Sequence, residues 1–217
     1  MNWLAHFALS PDGDRIRLGN WLADLFSRSE LEGVTDDALR FGLELHQRID
    51  RETDRHPQVR AARARFPPEL RRGGGIVLDV FWDHFLAREF EHRMGRALNS
   101  FVAEVLTGLE RVIHLGPPGT RDVLAQMRVE NWLGSYETPE GVELALSRIS
   151  RRLSPRARGV LAPRAAREFL LEHYSVLHAD FDEIWNSVSV SVSLNRPALC
   201  APTEINCREA PTCPFPG

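Results

Sequence analysis

Lysine is absent: all 27 basic residues of this 217-residue chain are arginine. A bias in nucleotide composition accounts for this most simply, although arginine also offers a planar fork suited to carboxylate and phosphate groups. Cysteine is almost as scarce. Cys200, Cys207 and Cys213 all lie in the final 18 residues, and their spacing fits neither a thiolate metal site nor a disulfide framework. An odd count without an export signal points to reduced thiols and a cytoplasmic protein. No apolar run reaches the roughly 18 residues of a membrane-spanning helix, and Met1-Asn2-Trp3 lacks a basic leader, so neither an anchor nor a secretory signal is expected. A basic excess is missing too. The net charge of −3 excludes a generic nucleic-acid binder.

Strand signals are equally hard to find, whereas helical periodicity runs through most of the chain. It predicts helices over about Leu18–Ser27, Asp36–Arg51, Pro57–Arg65, Glu69–Arg93, Leu98–His114 and Pro163–Trp185. Thr138-Pro139 and Ser154-Pro155 each set a capping hydroxyl before a proline at the first helical position, where the missing N–H costs nothing. The expected fold is all-α, a single helical domain over residues 1–187. Beyond it, Ser187–Ser193 alternates like a strand and five prolines follow. Residues 188–217 are therefore expected to form a disordered tail, because a lone strand has no sheet to join.

Within this pattern, carboxylates and imidazoles stand inside apolar helices, where an unpaired charge is costly to bury. His46 and Asp50 are four residues apart and share a helix face, as do Asp79 and Asp83, with His84 directly after the latter. One such pair alone is ordinarily solvated or caps a helix. Several within the first 84 residues point to a metal site. Imidazole nitrogen mixed with carboxylate oxygen suits Mn²⁺, Fe²⁺ or Zn²⁺ better than Ca²⁺.

Four segments, Met1-Asn2-Trp3-Leu4-Ala5-His6, Gly19-Asn20-Trp21-Leu22-Ala23-Asp24, His46-Gln47-Arg48-Ile49-Asp50 with Thr53-Asp54 and His56-Pro57 after it, and Ile76-Val77-Leu78-Asp79-Val80-Phe81-Trp82-Asp83-His84-Phe85-Leu86, resemble the acyl carrier protein phosphodiesterases in the same order. The likeness extends over about residues 1–186. It implies a divergent, HD-phosphohydrolase-like helical fold and a Mn²⁺-assisted hydrolysis that removes the 4′-phosphopantetheine arm from holo acyl carrier protein, with Mg²⁺, Fe²⁺ or Zn²⁺ as alternative ions. The tail departs from the family pattern.

Such a reaction calls for a hydroxide nucleophile, neutralised phosphoryl charge and help for the departing serine oxygen, the first two of which a divalent ion supplies. Asp24, His46, Asp83 and His84, from three helices, are the expected direct ligands. Adjacent Asp83 and His84 diverge by about 100° on a helix, which leaves a two-ion site open. His6, Asp50 and Asp79 are expected to ligate, to orient a ligand or to shuttle a proton. Arg48 either clamps the phosphodiester or is an ordinary helix charge. Asn20 reads as an amide that supports a ligand, and His56 as a helix-start residue. Carrier proteins are acidic, so the arginine run Arg60, Arg63, Arg65, Arg71 and Arg72, which leads into the Asp79–His84 segment, is the expected docking surface; a second run spans Arg148 to Arg167. Charge runs are usually solvated faces. Two other functions fit the same residues: a phosphohydrolase for nucleotides or other small phosphoesters, and a non-catalytic helical module that binds an acidic partner.

Overall fold

The computed structural model describes residues 1–154 and 158–194. Among the described residues there are thirteen α-helices, three short 3-10 turns and no strand. The helices are α1 (Trp3–Leu9), α2 (Asp14–Leu25), α3 (Arg28–Leu31), α4 (Asp37–Arg55), α5 (Pro57–Ala64), α6 (Pro68–Arg71), α7 (Gly74–Arg88), α8 (Phe90–Met94), α9 (Leu98–Val112), α10 (Thr120–Val129), α11 (Pro139–Arg152), α12 (Pro163–Glu172) and α13 (Tyr174–Leu194). None is long and apolar enough to cross a membrane.

Helix starts follow local chemistry. Asp36 caps α4 by accepting from the amides of Ala38 and Leu39, both at 3.0 Å. His56 Nδ1 accepts from Gln58 N ahead of α5, and Thr138 Oγ1 accepts from Gly141 N at the start of α11. Each satisfies an amide that the helix itself leaves unpaired.

At the centre lies α7, buried on nearly every side through Val77, Leu78, Val80, Phe81, Trp82, Phe85 and Leu86. A helix apolar all round belongs inside a domain, and α1, α5, α11 and α13 pack against it. Two of its polar residues, Asp83 and His84, are fully buried. A second unit pairs α2 with α4 at very short range: a Cβ on Gly19 would lie 2.1 Å from Leu39 O, and one on Gly42 would lie 2.2 Å from Ile16 O.

Several boundaries differ from the sequence expectation. The helix predicted over Glu69–Arg93 is three helices, because the chain turns at Gly73, where a side chain would collide with Leu161 and Val160. Gly73 is thus a packed turn residue, and Gly74 and Gly75 open α7. The helix predicted over Pro163–Trp185 breaks at His173. Helices α1 and α10 were not expected, and α2 starts at Asp14.

The strand-like Ser187–Ser193 is the end of α13. Phe181, Trp185, Val188 and Val192 are all buried and follow each other at helical spacings of four, three and four residues. Burying the valines outweighs their β preference. The expected tail therefore does not begin at 188; its remainder, 195–217 with the cysteines, lies outside the described residues, as does the helix start expected at Pro155.

Candidate metal centre

Helix α1 carries no cap of its own. Asp83, from α7, supplies one across the core, accepting from Leu4 N at 2.8 Å, Ala5 N at 3.1 Å and Asn2 N at 3.3 Å. This docks α1 so that His6 faces α2 and α4. The other end is tied down as well, because Ser10 Oγ and Asn20 Nδ2 both donate to His6 O.

Asn20 sets the state of two imidazoles. Its Nδ2 is spent on His6 O and Ser10 Oγ, so Oδ1 faces His6 Nδ1 at 2.9 Å and His46 Nδ1 at 3.1 Å. A carbonyl oxygen only accepts, so both rings carry their proton on Nδ1 and turn Nε2 the other way. The rings stack with centroids 4.2 Å apart. His6 Nε2 lies 3.1 Å from Asp50 Oδ1 and 3.1 Å from Met1 O, and His46 Nε2 lies 3.1 Å from Asp50 Oδ2.

Nitrogen lone pairs and acceptor oxygens thus converge with no donor between them unless both rings are doubly protonated. Burial lowers the pKa of His6 and disfavours that state. Burial also pushes Asp50 upward, but the two imidazoles beside it prevail and hold it well below the usual carboxylate range. An ionised carboxylate facing neutral imidazole nitrogens is a cation site. Its donor atoms lie within 4.8 Å of one another. Side-chain exposure sets the way in: His6 is 3% exposed, His46 10% and Asp50 42%, so the centre opens at Asp50.

Among the expected ligands, only His46 is part of this group. Asp24 accepts from Trp3 Nε1 at 2.6 Å and is exposed. Asp83 is committed to the α1 amides, and burial pushes its carboxyl up to about 7 against their pull. His84 donates through Nδ1 to Tyr136 O at 2.7 Å and accepts at Nε2 from Tyr174 OH at 3.2 Å, leaving no lone pair for an ion. Of the residues given a choice of roles, His6 and Asp50 join His46. Asp79 accepts from the Met1 amino group at 2.7 Å. Arg48 lies about 200° around α4 from both His46 and Asp50. The Asp79 and Asp83 pair therefore holds the first residues of the chain.

The expected docking run is split as well. Arg65 pairs with buried Asp180, and Arg71 Nε donates to Phe66 O; Arg60, Arg63 and Arg72 are exposed. In the second run, Arg148 bonds to Glu130, Arg164 to Glu168 and Arg167 to Glu140.

One group was missed in the sequence. Glu89, His178 and Asp182 also bring donor atoms within 4.8 Å, and His178 and Asp182 repeat the four-residue spacing of His46 and Asp50. Here Arg93 donates to both carboxylates, so a guanidinium already supplies the positive charge.

His84 gives a test of these assignments. Burial lowers its pKa to about 4, whereas an unfolded histidine titrates near 6.5. The unfolded chain therefore binds a proton that the native one refuses between these values. Its stability contribution is complete above about pH 6.5 and is lost as pH falls toward 4, a change on the order of 3 kcal/mol. Urea unfolding across this range should show a shallower pH dependence in His84→Gln than in the wild type. Equal slopes would mean that His84 is charged in the fold.

The fold and this centre define an all-helical protein in which two buried imidazoles and a partly exposed carboxylate form a site suited to a divalent ion. The chain belongs to the acyl carrier protein phosphodiesterase family, whose sequence profile matches residues 1–188. It is 39% identical over 137 residues to the acyl carrier protein phosphodiesterase of Serratia proteamaculans, which covers 63% of this chain and 70% of that one. Similarity to the proteins of that name from Photorhabdus laumondii and Escherichia coli O157:H7 is more extended, at 32% identity over 85% of this chain and 89% of the relative, and 31% over 89% and 98%. No solved structure matches the chain.

Proposed function

We propose that the protein hydrolyses the phosphodiester joining the 4′-phosphopantetheine arm to the serine of holo acyl carrier protein, with Mn²⁺ as its ion. Family membership supports the substrate. The observation that carries the chemistry is the pair of imidazole Nε2 atoms turned onto one ionised carboxylate. A helix-borne histidine and aspartate completed by an imidazole from another helix also supports reading the site as a rearranged HD-type centre.

When bound, the ion supplies an activated water and withdraws charge from the phosphoryl oxygens. His6, His46 and Asp50 would hold it, and Asn20 keeps both imidazoles in the ligating tautomer. The partly exposed Asp50 lets a phosphodiester on a folded protein reach the centre. Water adds to phosphorus, the bond to the serine oxygen breaks, and that oxygen takes up a proton. The products are apo carrier protein and 4′-phosphopantetheine. Incubating the purified protein with holo carrier protein, with and without Mn²⁺, tests this by mass spectrometry: the arm should be lost only with the ion. An intact holo protein under both conditions would overturn the reading.

Docking of an acidic carrier protein falls to Arg60, Arg63 and Arg72. Burial raises the pKa of Asp54, one turn beyond Asp50 on α4, and Arg63 is near enough to act against that shift. Arg63 therefore lies near the α4 turn that follows Asp50. Reversing Arg60, Arg63 and Arg72 together to Glu should raise the KM for holo carrier protein and weaken its salt dependence, since such steering is screened over about 8–10 Å. Hydrolysis of a small phosphodiester should change much less. Equal loss of both activities would remove these arginines from docking.

A further inference from the structure

A cleft of about 640 Å³ opens between the C-terminal end of α2, α3 and α4, and His46 forms part of its wall. The same imidazole therefore belongs to the candidate metal centre and to the cleft. Phe26, Leu31, Val34 and Leu43 give the cleft apolar sides, and Gln47 adds an exposed carboxamide next to His46. Its cations are balanced, because Glu32 and Glu44 line it together with Arg28 and Arg40. Such a wall has no surplus positive charge for a second phosphate.

A phosphodiester at the centre has two substituents to place. One is a folded carrier protein. The other is a thin chain of methylenes, methyls and amides. Clefts of roughly 300–1,000 Å³ accept small molecules and not protein domains, so size assigns the cleft to the chain. Its apolar sides match the methyl and methylene groups, and Gln47 offers both a donor and an acceptor to an amide.

We propose that this cleft binds the pantetheine portion of the arm, laid along α4 from a phosphoryl group at His6, His46 and Asp50. The proposal rests on the phosphodiesterase reading for its substrate. It makes Leu43 and Gln47 specificity-determining residues that touch the arm and leave the ion alone. The carrier protein then stays outside, on the side where Asp50 is exposed.

The test uses free 4′-phosphopantetheine and pantetheine as probes in calorimetry with the full chain. Leu43→Trp fills the cleft from its partly buried side. Gln47→Trp fills it from an exposed position, where folding is not at stake. Both variants should weaken 4′-phosphopantetheine binding by roughly tenfold or more, as expected when a fitted pocket loses its space. Pantetheine binding, which needs no phosphate, should weaken in parallel, and Mn²⁺ affinity should stay at the wild-type value. Wild-type affinity for both probes in a folded Gln47→Trp variant would overturn the proposal. Failure of the phosphodiesterase reading looks different: the wild type would leave holo carrier protein intact, whatever the cleft variants do to probe binding.

Discussion

His6→Ala, His46→Ala and Asp50→Ala should each weaken Mn²⁺ binding by roughly 100-fold or more and abolish release of the arm, while the far-UV helical signal persists. Each removes one of three donors that converge from α1 and α4. Asn20→Ala should cost roughly 10–100-fold with all three donors in place, because neither imidazole is then held with its proton on Nδ1. Asp24→Ala removes the acceptor of the Trp3 indole and should leave ion affinity as it was. Calorimetric titration with Mn²⁺ separates these outcomes. Unchanged affinity in two of the three donor variants would move the centre elsewhere in the fold.

The second large effect concerns stability. Asp83→Ala would leave three amides at the start of α1 without an acceptor, two of them in bonds that are fully buried. Losing a cap together with a buried acceptor should destabilise the protein by about 3 kcal/mol. His6 would still be held through its carbonyl by Ser10 and Asn20. Well below the melting temperature, the folded variant should therefore bind Mn²⁺ nearly as tightly as the wild type. A variant of normal stability that no longer binds the ion would make Asp83 a ligand after all.

These two predictions mark how far the sequence can be read. A carboxylate or imidazole in an apolar helix announces that it needs a partner, but spacing identifies that partner only when it lies on the same helix. His46 and Asp50 meet because four residues on α4 bring them together. His6 meets them because Asn20 of α2 holds its ring and its carbonyl while Asp83 of α7 caps α1, and no local pattern carries those contacts. Asp83 and His84 send the same signal as true ligands, yet backbone amides, a carbonyl and a tyrosine hydroxyl satisfy them. The helical class was legible from periodicity and from caps such as Asp36 and Thr138. The end of α13 was not, since alternating Ser and Val favour a strand until the core offers a place for Val188 and Val192.

The close approach of α2 and α4 has a bearing beyond the fold. Asn20 and His46 stand on opposite sides of the contact where Gly42 meets the backbone of Ile16 and Asn20. Two helices touching backbone to backbone behave as one rigid piece, with no side-chain layer between them to absorb a shift. The reach from the Asn20 carboxamide to the His46 ring is therefore gauged by main-chain contact. That gauge is set by Gly19 and Gly42, and a side chain at either position would drive the carboxamide and the imidazole apart.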